Sequence, residues 1–162
     1  MAYEMNMKRL KRYRKKLLPG DIFVLQIQEA TFHFGRIVAT NCRVRVAEGG
    51  ILIYVYNTSS SDKTDIPSLS KHDLLMPPTM TSREPWTHGY FNVVASRHFE
   101  EGDLWTPHCF LSRWDNRYYD EYNHQLPERR EPCGHYSWST IMGLDKGVSR
   151  ALGIPISPDD SG

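Results

Sequence analysis

Apolar positions alternate along the first third of the chain in the way expected of buried β-strands. In residues 21–27 (DIFVLQI) both alternating sets are largely apolar, which predicts a strand covered on both faces. Further strands are predicted over residues 31–39, 43–46 and 51–56. A turn is expected at residues 48–50 (EGG), before the last of these strands. Four short strands at this spacing predict a small antiparallel meander that curls toward a barrel.

The second half of the chain predicts short strands mixed with two helices. A short helix capped by Ser68 or Ser70 is expected to end at the two prolines that follow, and a longer helix is expected to begin at Asp145. Strands are predicted over residues 88–99 and 107–114, with a hairpin over 115–127. The predicted fold class is β-dominated α+β: a small twisted antiparallel sheet or partly open barrel with short helices, including one near the C-terminus.

Length and charge predict one folded domain with a basic leader. A chain of 162 residues can bury roughly two thirds of its unfolded surface, so a core is possible without disulfide bonds. Residues 8–16 contain seven basic side chains, which predicts a solvated arm or a frayed helix. We therefore expect a flexible leader over residues 1–18, a single domain over 19–156 and a loose tail over 157–162.

Cysteine usage and hydropathy predict a cytoplasmic protein. Cys42, Cys109 and Cys133 form an odd and widely spaced set, which argues against a disulfide framework and for a reducing compartment. The longest apolar runs are far shorter than the roughly 20 residues of a membrane-spanning helix, and the first residues do not form a secretory signal. The formal net charge of +1 favours neither an acidic nor a basic partner. We expect no membrane partner.

No local motif predicts catalysis or a bound cofactor. The chain lacks the phosphate-binding and dinucleotide-binding glycine patterns, the zinc-protease His-Glu-x-x-His pattern and the serine-hydrolase elbow. His108 with Cys109, and Cys133 with His135, are the best candidates for metal ligands, but adjacent residues of a strand point to opposite faces. We therefore expect no catalytic residues, no metal site and no cofactor.

Residues 84–122 are rich in tryptophan, tyrosine and arginine, the side chains most enriched at the energetic centres of protein interfaces. Trp86 and Trp105 are flanked by prolines and are expected in the core. The hairpin that follows is expected to be exposed, with Asp120 and Glu121 as solvated turn charges that suit a basic partner surface. The candidate partner-binding residues are Trp114, Arg117, Tyr118, Tyr119, Asp120, Glu121 and Tyr122.

Two motifs near the start of the chain are distinctive. The first comprises Gly20, Asp21, Ile22 and Phe23, and the second comprises Phe32, Phe34, Gly35, Arg36 and Ile37. Together they resemble the opening strands of the bacterial immunity protein 26 family. Later segments, among them REPWTHGYF, PHCFLS and SRALGIP, are also similar to longer members of that family, so the resemblance extends over roughly residues 8–156. It implies that the domain over residues 19–156 is a single immunity-type domain.

The motif residues are expected to build the scaffold rather than to contact a partner. Gly35 would allow close packing between strands, and Arg36 would pair with a carboxylate such as that of Asp21. The residues assigned to this structural role are Gly20, Asp21, Phe23, Phe34, Gly35 and Arg36.

The resemblance implies an immunity protein that binds a cognate toxin domain in the cytoplasm and blocks its active or functional site. Such proteins belong to polymorphic toxin and contact-dependent growth inhibition systems, and the resemblance implies no catalytic residues. A nuclease or another toxin acting in the cytoplasm is the expected partner, and nucleic acid is not. Two alternatives stay open: a small barrel that binds RNA through the basic leader, and a relative of toxin-type ribonuclease barrels.

Overall fold

A computed structural model describes residues 3–157 of the chain. Within these residues the strands are β1 (Asp21–Gln26), β2 (Phe32–Val44), β3 (Ala47–Ser60), β4 (Thr79–Thr81), β5 (Asn92–Ser96), β6 (Cys109–Leu111), β7 (Tyr118–Tyr119), β8 (Gln125–Leu126), β9 (Cys133–His135) and β10 (Trp138–Ser139), and the helices are α1 (Glu84–Thr87) and α2 (Ile141–Ala151). The strands form two mixed sheets, neither of which closes into a barrel. The predicted β-dominated α+β class, with a helix near the C-terminus, is confirmed.

The larger sheet has the strand order β10-β4-β3-β2-β1-β5. Its pairs are antiparallel except for β10 and β4, which run parallel. The turn predicted at residues 48–50 is wrong, because β2 continues to Val44 and β3 begins at Ala47. The chain reverses at Arg45 and Val46 instead, and Arg45 takes a left-handed conformation with φ of 58°. The two longest strands therefore extend as a hairpin beyond the rest of the sheet.

One face of this sheet carries the main core. The rings of Phe23 and Phe91 stack with centroids 4.5 Å apart, and Trp86 packs edge-on against Phe23 at 5.3 Å. Gly35 lies opposite Phe23 across the β1–β2 pair. A Cβ atom at Gly35 would fall 2.6 Å from Phe23 Cε2 and 2.7 Å from the Tyr54 carbonyl oxygen. The glycine thus makes room for the ring of the neighbouring strand.

Arg36 is buried, but it does not pair with Asp21 as expected from the sequence. Its guanidinium lies 3.4 Å from the Asp103 carboxylate, donates to the Arg97 carbonyl at 2.7 Å and covers the Phe99 ring at 4.1 Å. Asp21 instead accepts a hydrogen bond from the Leu18 amide at 2.9 Å. The arginine therefore holds the loop after β5 rather than the end of β1.

The helix predicted over residues 66–78 is also wrong. The backbone of this segment is used in bonds to β3: the Asn57 amide donates to the Asp73 carbonyl, and the Leu75 amide donates to the Val55 carbonyl. Pairing with a sheet edge satisfies the same peptide groups that a helix would bond internally. The smaller sheet, of order β8-β7-β6-β9, contains the predicted hairpin as β7 and β8.

The C-terminal helix begins four residues before the predicted cap. Thr140 is the N-cap, and its hydroxyl accepts from the Gly143 amide at 3.0 Å. Asp145 is buried within α2 and accepts from the amides of Asn6 and Met7, at 3.0 and 2.6 Å. Asp145 therefore fastens the N-terminal segment to the helix.

The basic leader is attached to the domain. The amides of Lys8, Leu10 and Tyr13 donate to carbonyls of β1 and of the α1 region at 2.8–2.9 Å. Met7 and Leu17 are buried. This path differs from the solvated arm or frayed helix predicted from the sequence, because apolar side chains spaced through the segment enter the core. Of the predicted tail, only Ser157 lies within the described residues.

Candidate protein-binding surface

The hairpin that carries the candidate residues lies beside the β2–β3 turn. The Arg43 amide donates to the Glu121 carbonyl at 2.8 Å, and the Arg45 amide donates to the Tyr136 hydroxyl at 3.0 Å. The tip of the larger sheet and a loop of the smaller one are therefore joined into one surface.

Large apolar side chains are unusually exposed at this junction. Val46 is 94% exposed, Trp114 is 78% exposed and Tyr122 is 41% exposed. They are three of the five large hydrophobic side chains that are exposed within residues 3–157. The Arg45 guanidinium lies over the Trp114 ring, 4.3 Å from its centre. We name these four residues, Arg45, Val46, Trp114 and Tyr122, the Trp114 surface.

The backbone of the same region is held in unfavourable conformations. Arg45, Asn116 and Asn123 have φ values of 58°, 59° and 69°. They are three of the four non-glycine residues with positive φ in the described part of the chain. Such conformations cost free energy and cluster at functional sites. The Asn123 side chain supports this geometry by accepting from the Tyr136 hydroxyl and from the Arg45 amide.

Two tyrosines form a platform beneath these exposed groups. The rings of Tyr119 and Tyr136 stack with centroids 4.6 Å apart and planes 19° from parallel. The Tyr119 hydroxyl donates to Asp115 at 2.5 Å, and this bond lowers the pKa of Asp115 and raises the pKa of Tyr119. Tyr118 is half-buried, and Arg117 is exposed. The platform restricts the hairpin and presents Trp114 outward.

The two predicted turn carboxylates are not available to a partner. The structure contradicts the expectation that Glu121 is solvated: its carboxylate is buried and contacts His108 Nδ1. Asp120 accepts from the amides of Tyr122 and His124, both at 2.9 Å. The acidic rim expected from the sequence does not form.

Glu121 belongs to a buried polar chain that sequence reasoning missed. His108 Nε2 lies 2.6 Å from the Tyr54 hydroxyl, which accepts from the Trp105 amide at 3.0 Å. Burial raises the pKa of Tyr54 to about 12. Tyr54, His108 and Glu121 are all at most 7% exposed, so a substrate has no access to these acid–base groups. Their separation in sequence gives no local signal for the arrangement.

The cysteine and histidine pairs proposed as metal ligands separate in the fold. Cys109 and Cys133 face each other across β6 and β9 with sulfur atoms 3.4 Å apart, whereas His108 points to Tyr54. Burial raises the pKa of the Cys133 thiol to about 12. Among residues 3–157, no group of three or more histidine, cysteine or acidic side chains is placed to hold a metal ion.

Comparison with known proteins gives one match. A family model described as Immunity protein 26 matches residues 18–120, which is more than half of the chain. No curated protein and no solved structure matches. In the part of the chain that the structure describes, neither helix has the length and hydropathy needed to span a membrane.

Proposed function

Because the chain belongs to the immunity protein 26 family, we propose that it neutralises a cognate toxin by binding the toxin domain in the cytoplasm and covering its active or functional site. Family membership implies an immunity protein of a polymorphic toxin system and suggests a non-enzymatic role. Contact-dependent growth inhibition is one setting in which such a protein acts. Protection then requires only a complementary protein surface that keeps the toxin's target out of the toxin's active or functional site.

The Trp114 surface is the proposed contact, and the exposure of Trp114 is the observation that supports it. The Trp114 ring is 78% exposed, and burying such a ring would stabilise it by about 2 kcal/mol or more. An exposed apolar group of this size is typical of a surface that a partner covers. Tryptophan, tyrosine and arginine are also the side chains that most often dominate binding energy. The candidates Trp114, Arg117 and Tyr122 are exposed at or near this surface.

The arrangement is prepared for binding before a partner arrives. Arg45 is stacked on Trp114, and the Tyr119–Tyr136 pair fixes the hairpin below it. Side chains that are already ordered lose less conformational entropy on association. An interface of about 1,600 Å² in total, centred on a few such anchors, suffices for nanomolar affinity.

The charges at this surface favour an acidic partner rather than the basic partner expected from the sequence. Glu121 is buried against His108, which leaves the Asp115 and Asp120 carboxylates against the exposed guanidinium groups of Arg45, Arg113 and Arg117. Positive charge therefore exceeds negative charge at this surface. Complementary charges around an aromatic centre would speed association and fix its orientation.

The proposal is tested with the toxin domain encoded beside the gene for this chain. Binding is measured by calorimetry for the parent protein and for Trp114→Ala and Tyr122→Ala. Loss of an aromatic anchor of about 2 kcal/mol weakens binding about 30-fold, and growth protection falls with it. Met142→Ala is the matched control, because Met142 is similarly exposed, at 43%, but lies on α2. Full affinity in both aromatic variants would reject this surface, and absence of any binding would reject the function.

A further inference from the structure

The N-terminal segment holds a run of exposed cations on a fixed backbone. We name residues 8–16 the basic strap. Seven side chains in it are basic and exposed: Lys8, Arg9, Lys11, Arg12, Arg14, Lys15 and Lys16. In the described part of the chain, Lys8 has an ion pair with Glu29 at 3.5 Å, and Arg9 contacts the Tyr90 hydroxyl. The other five have no acidic partner within those residues.

The charge of the strap is opposite to that of the rest of the molecule. The whole chain has 20 basic and 19 acidic residues. Outside the strap, thirteen basic residues therefore stand against nineteen acidic ones, a formal charge of −6. The near-neutral total therefore conceals a local excess of positive charge in one short segment.

The strap is fixed rather than free. Its backbone bonds to Gln26, Gly89 and Trp86, and the Asn92 side chain both accepts from and donates to the Lys11 backbone. The Arg83 guanidinium donates to the Lys15 carbonyl. Nine residues cover at most about 30 Å, so the seven charges are concentrated along one short segment. Holding like charges together costs free energy that an anionic ligand would recover.

A cavity opens beside this row. It has a volume of about 420 Å³ and is lined by Leu10, Lys11, Phe32, Ser61, Asp62, Lys63 and Asn92. The cavity thus places an aromatic ring and an aliphatic side chain next to two cations, one carboxylate and two uncharged polar groups. An aromatic ring near a basic track is the combination that binds an unstacked base with its phosphate.

We propose that the basic strap binds the phosphate backbone of a single-stranded nucleic acid and that the adjoining cavity receives one of its bases. A single row of cations matches the single row of charges on such a strand, whereas acidic groups on a protein are scattered over a surface. The adjacent cavity, with its aromatic ring, suits a base that is carried by the same strand. This site shares no residue with the Trp114 surface. The strap precedes the residues that match the family model, whereas Phe32, Lys63 and Asn92 of the cavity lie within them.

The test uses the whole chain and a fluorescein-labelled 12-nucleotide oligouridylate, followed by anisotropy. With about five phosphates contacted, affinity should fall about 100-fold between 50 and 200 mM NaCl. Replacing Lys11, Arg12, Arg14 and Lys15 with glutamine should remove most of the binding and lower the log–log salt slope by about 3. These side chains have no acidic partner in the described residues, so the fold should persist. An unchanged affinity would overturn the proposal.

Two control variants and a competition assay distinguish this site from nonspecific attraction between charges. Glutamine at Arg43, Arg97, Arg130 and Arg150, four exposed arginines outside the strap and outside the Trp114 surface, removes the same charge elsewhere and should leave binding within twofold. Phe32→Leu should weaken binding about 5-fold or more through lost stacking without changing the salt slope. If polyglutamate of equal charge displaces the oligonucleotide as well as unlabelled oligouridylate does, the strap binds an acidic protein and the proposal is wrong.

Discussion

The Glu121 carboxylate is buried against the imidazole of His108, although Glu121 lies in a short polar hairpin. The other ring nitrogen of His108 meets the Tyr54 hydroxyl of β3 at 2.6 Å. This contact connects the hairpin of the smaller sheet to the centre of the larger one. A buried polar chain of three residues thus holds the turn next to Tyr122 against the larger sheet.

Removing the Glu121 carboxylate should destabilise the whole domain. Glu121→Ala leaves a buried imidazole without its partner, and breaking a buried pair in this way costs about 3–5 kcal/mol. Urea unfolding followed by tryptophan fluorescence measures the loss. Glu128→Ala, an exposed acidic residue in the same loop region, should stay within about 0.5 kcal/mol of the parent. Equal stability of the two variants would mean that the buried contact contributes nothing.

Gly35→Ala should be strongly destabilising even though alanine is the smallest possible addition. The new methyl group would overlap the Phe23 ring and the Tyr54 carbonyl oxygen. Overpacking at such a site costs about 1–3 kcal/mol, and here one of the obstructing atoms is backbone. Gly102→Ala tests for backbone strain alone, because Gly102 has positive φ but open space around it. Chemical denaturation should rank Gly35→Ala below Gly102→Ala.

Arg36→Lys should lower stability by about 1–3 kcal/mol despite keeping the charge. A lysine cannot both donate to the Arg97 carbonyl and approach Asp103 while covering the Phe99 ring. Arg97→Ala keeps the accepting carbonyl and is the matched control. Thermal melting compares the three proteins. Normal stability of Arg36→Lys combined with loss of toxin neutralisation would place Arg36 in the binding surface instead of the scaffold.

Alkaline pH should destabilise the fold through Cys42. Burial, followed by the nearby Glu121 charge, raises the pKa of this thiol from 9.0 to about 12. Below pH 9 the thiol is protonated in both states and costs nothing. As the pH rises toward 12, only the unfolded chain loses the proton, so each pH unit costs about 1.4 kcal/mol.

The Cys42 contribution is isolated by comparing the parent with Cys42→Ala in urea at pH 8 and pH 10. The parent should lose about 1.4 kcal/mol more than the variant over this interval. Tyr54 and Tyr56, whose pKa values are also raised by burial, affect both proteins equally. Parallel losses in the two proteins would show that Cys42 ionises as readily in the folded state as in the unfolded one.

The strands of the first motif could be predicted because their signal is local. Alternation and composition alone identify β1, the start of β2 and the hairpin of β7 and β8. The turn at Arg45 could not be predicted, because the nearby glycines, Gly49 and Gly50, have the higher turn propensity. Pairing between β2 and β3 keeps these glycines within a strand and places the turn earlier. The helix predicted for residues 66–78 does not form for a related reason. Peptide groups of this segment bond to β3, which is distant in sequence.

The candidate surface was predicted in part. Exposure of Tyr122 follows from its position in the predicted hairpin, whereas Trp114 was placed at the end of a predicted strand and its exposure was not predicted. Burial of Glu121 depends on His108 and Tyr54, which are distant in sequence. The exposure of Val46 could not be predicted, because the sequence placed this residue in a strand and not in a turn. Contacts between segments far apart in the chain are set by the fold as a whole, so local pattern cannot reveal them.

The bonds that Asp145 makes have a practical consequence for the two ends of the described part of the chain. Asp145 binds the backbone of Asn6 and Met7, and the Glu4 amide donates to the Ser157 hydroxyl at 2.9 Å. Residues near the start and the finish of the described chain are therefore neighbours in space. A short linker could join them and new termini could be opened elsewhere, whereas deleting α2 would remove the carboxylate that holds Asn6 and Met7 just ahead of the basic strap.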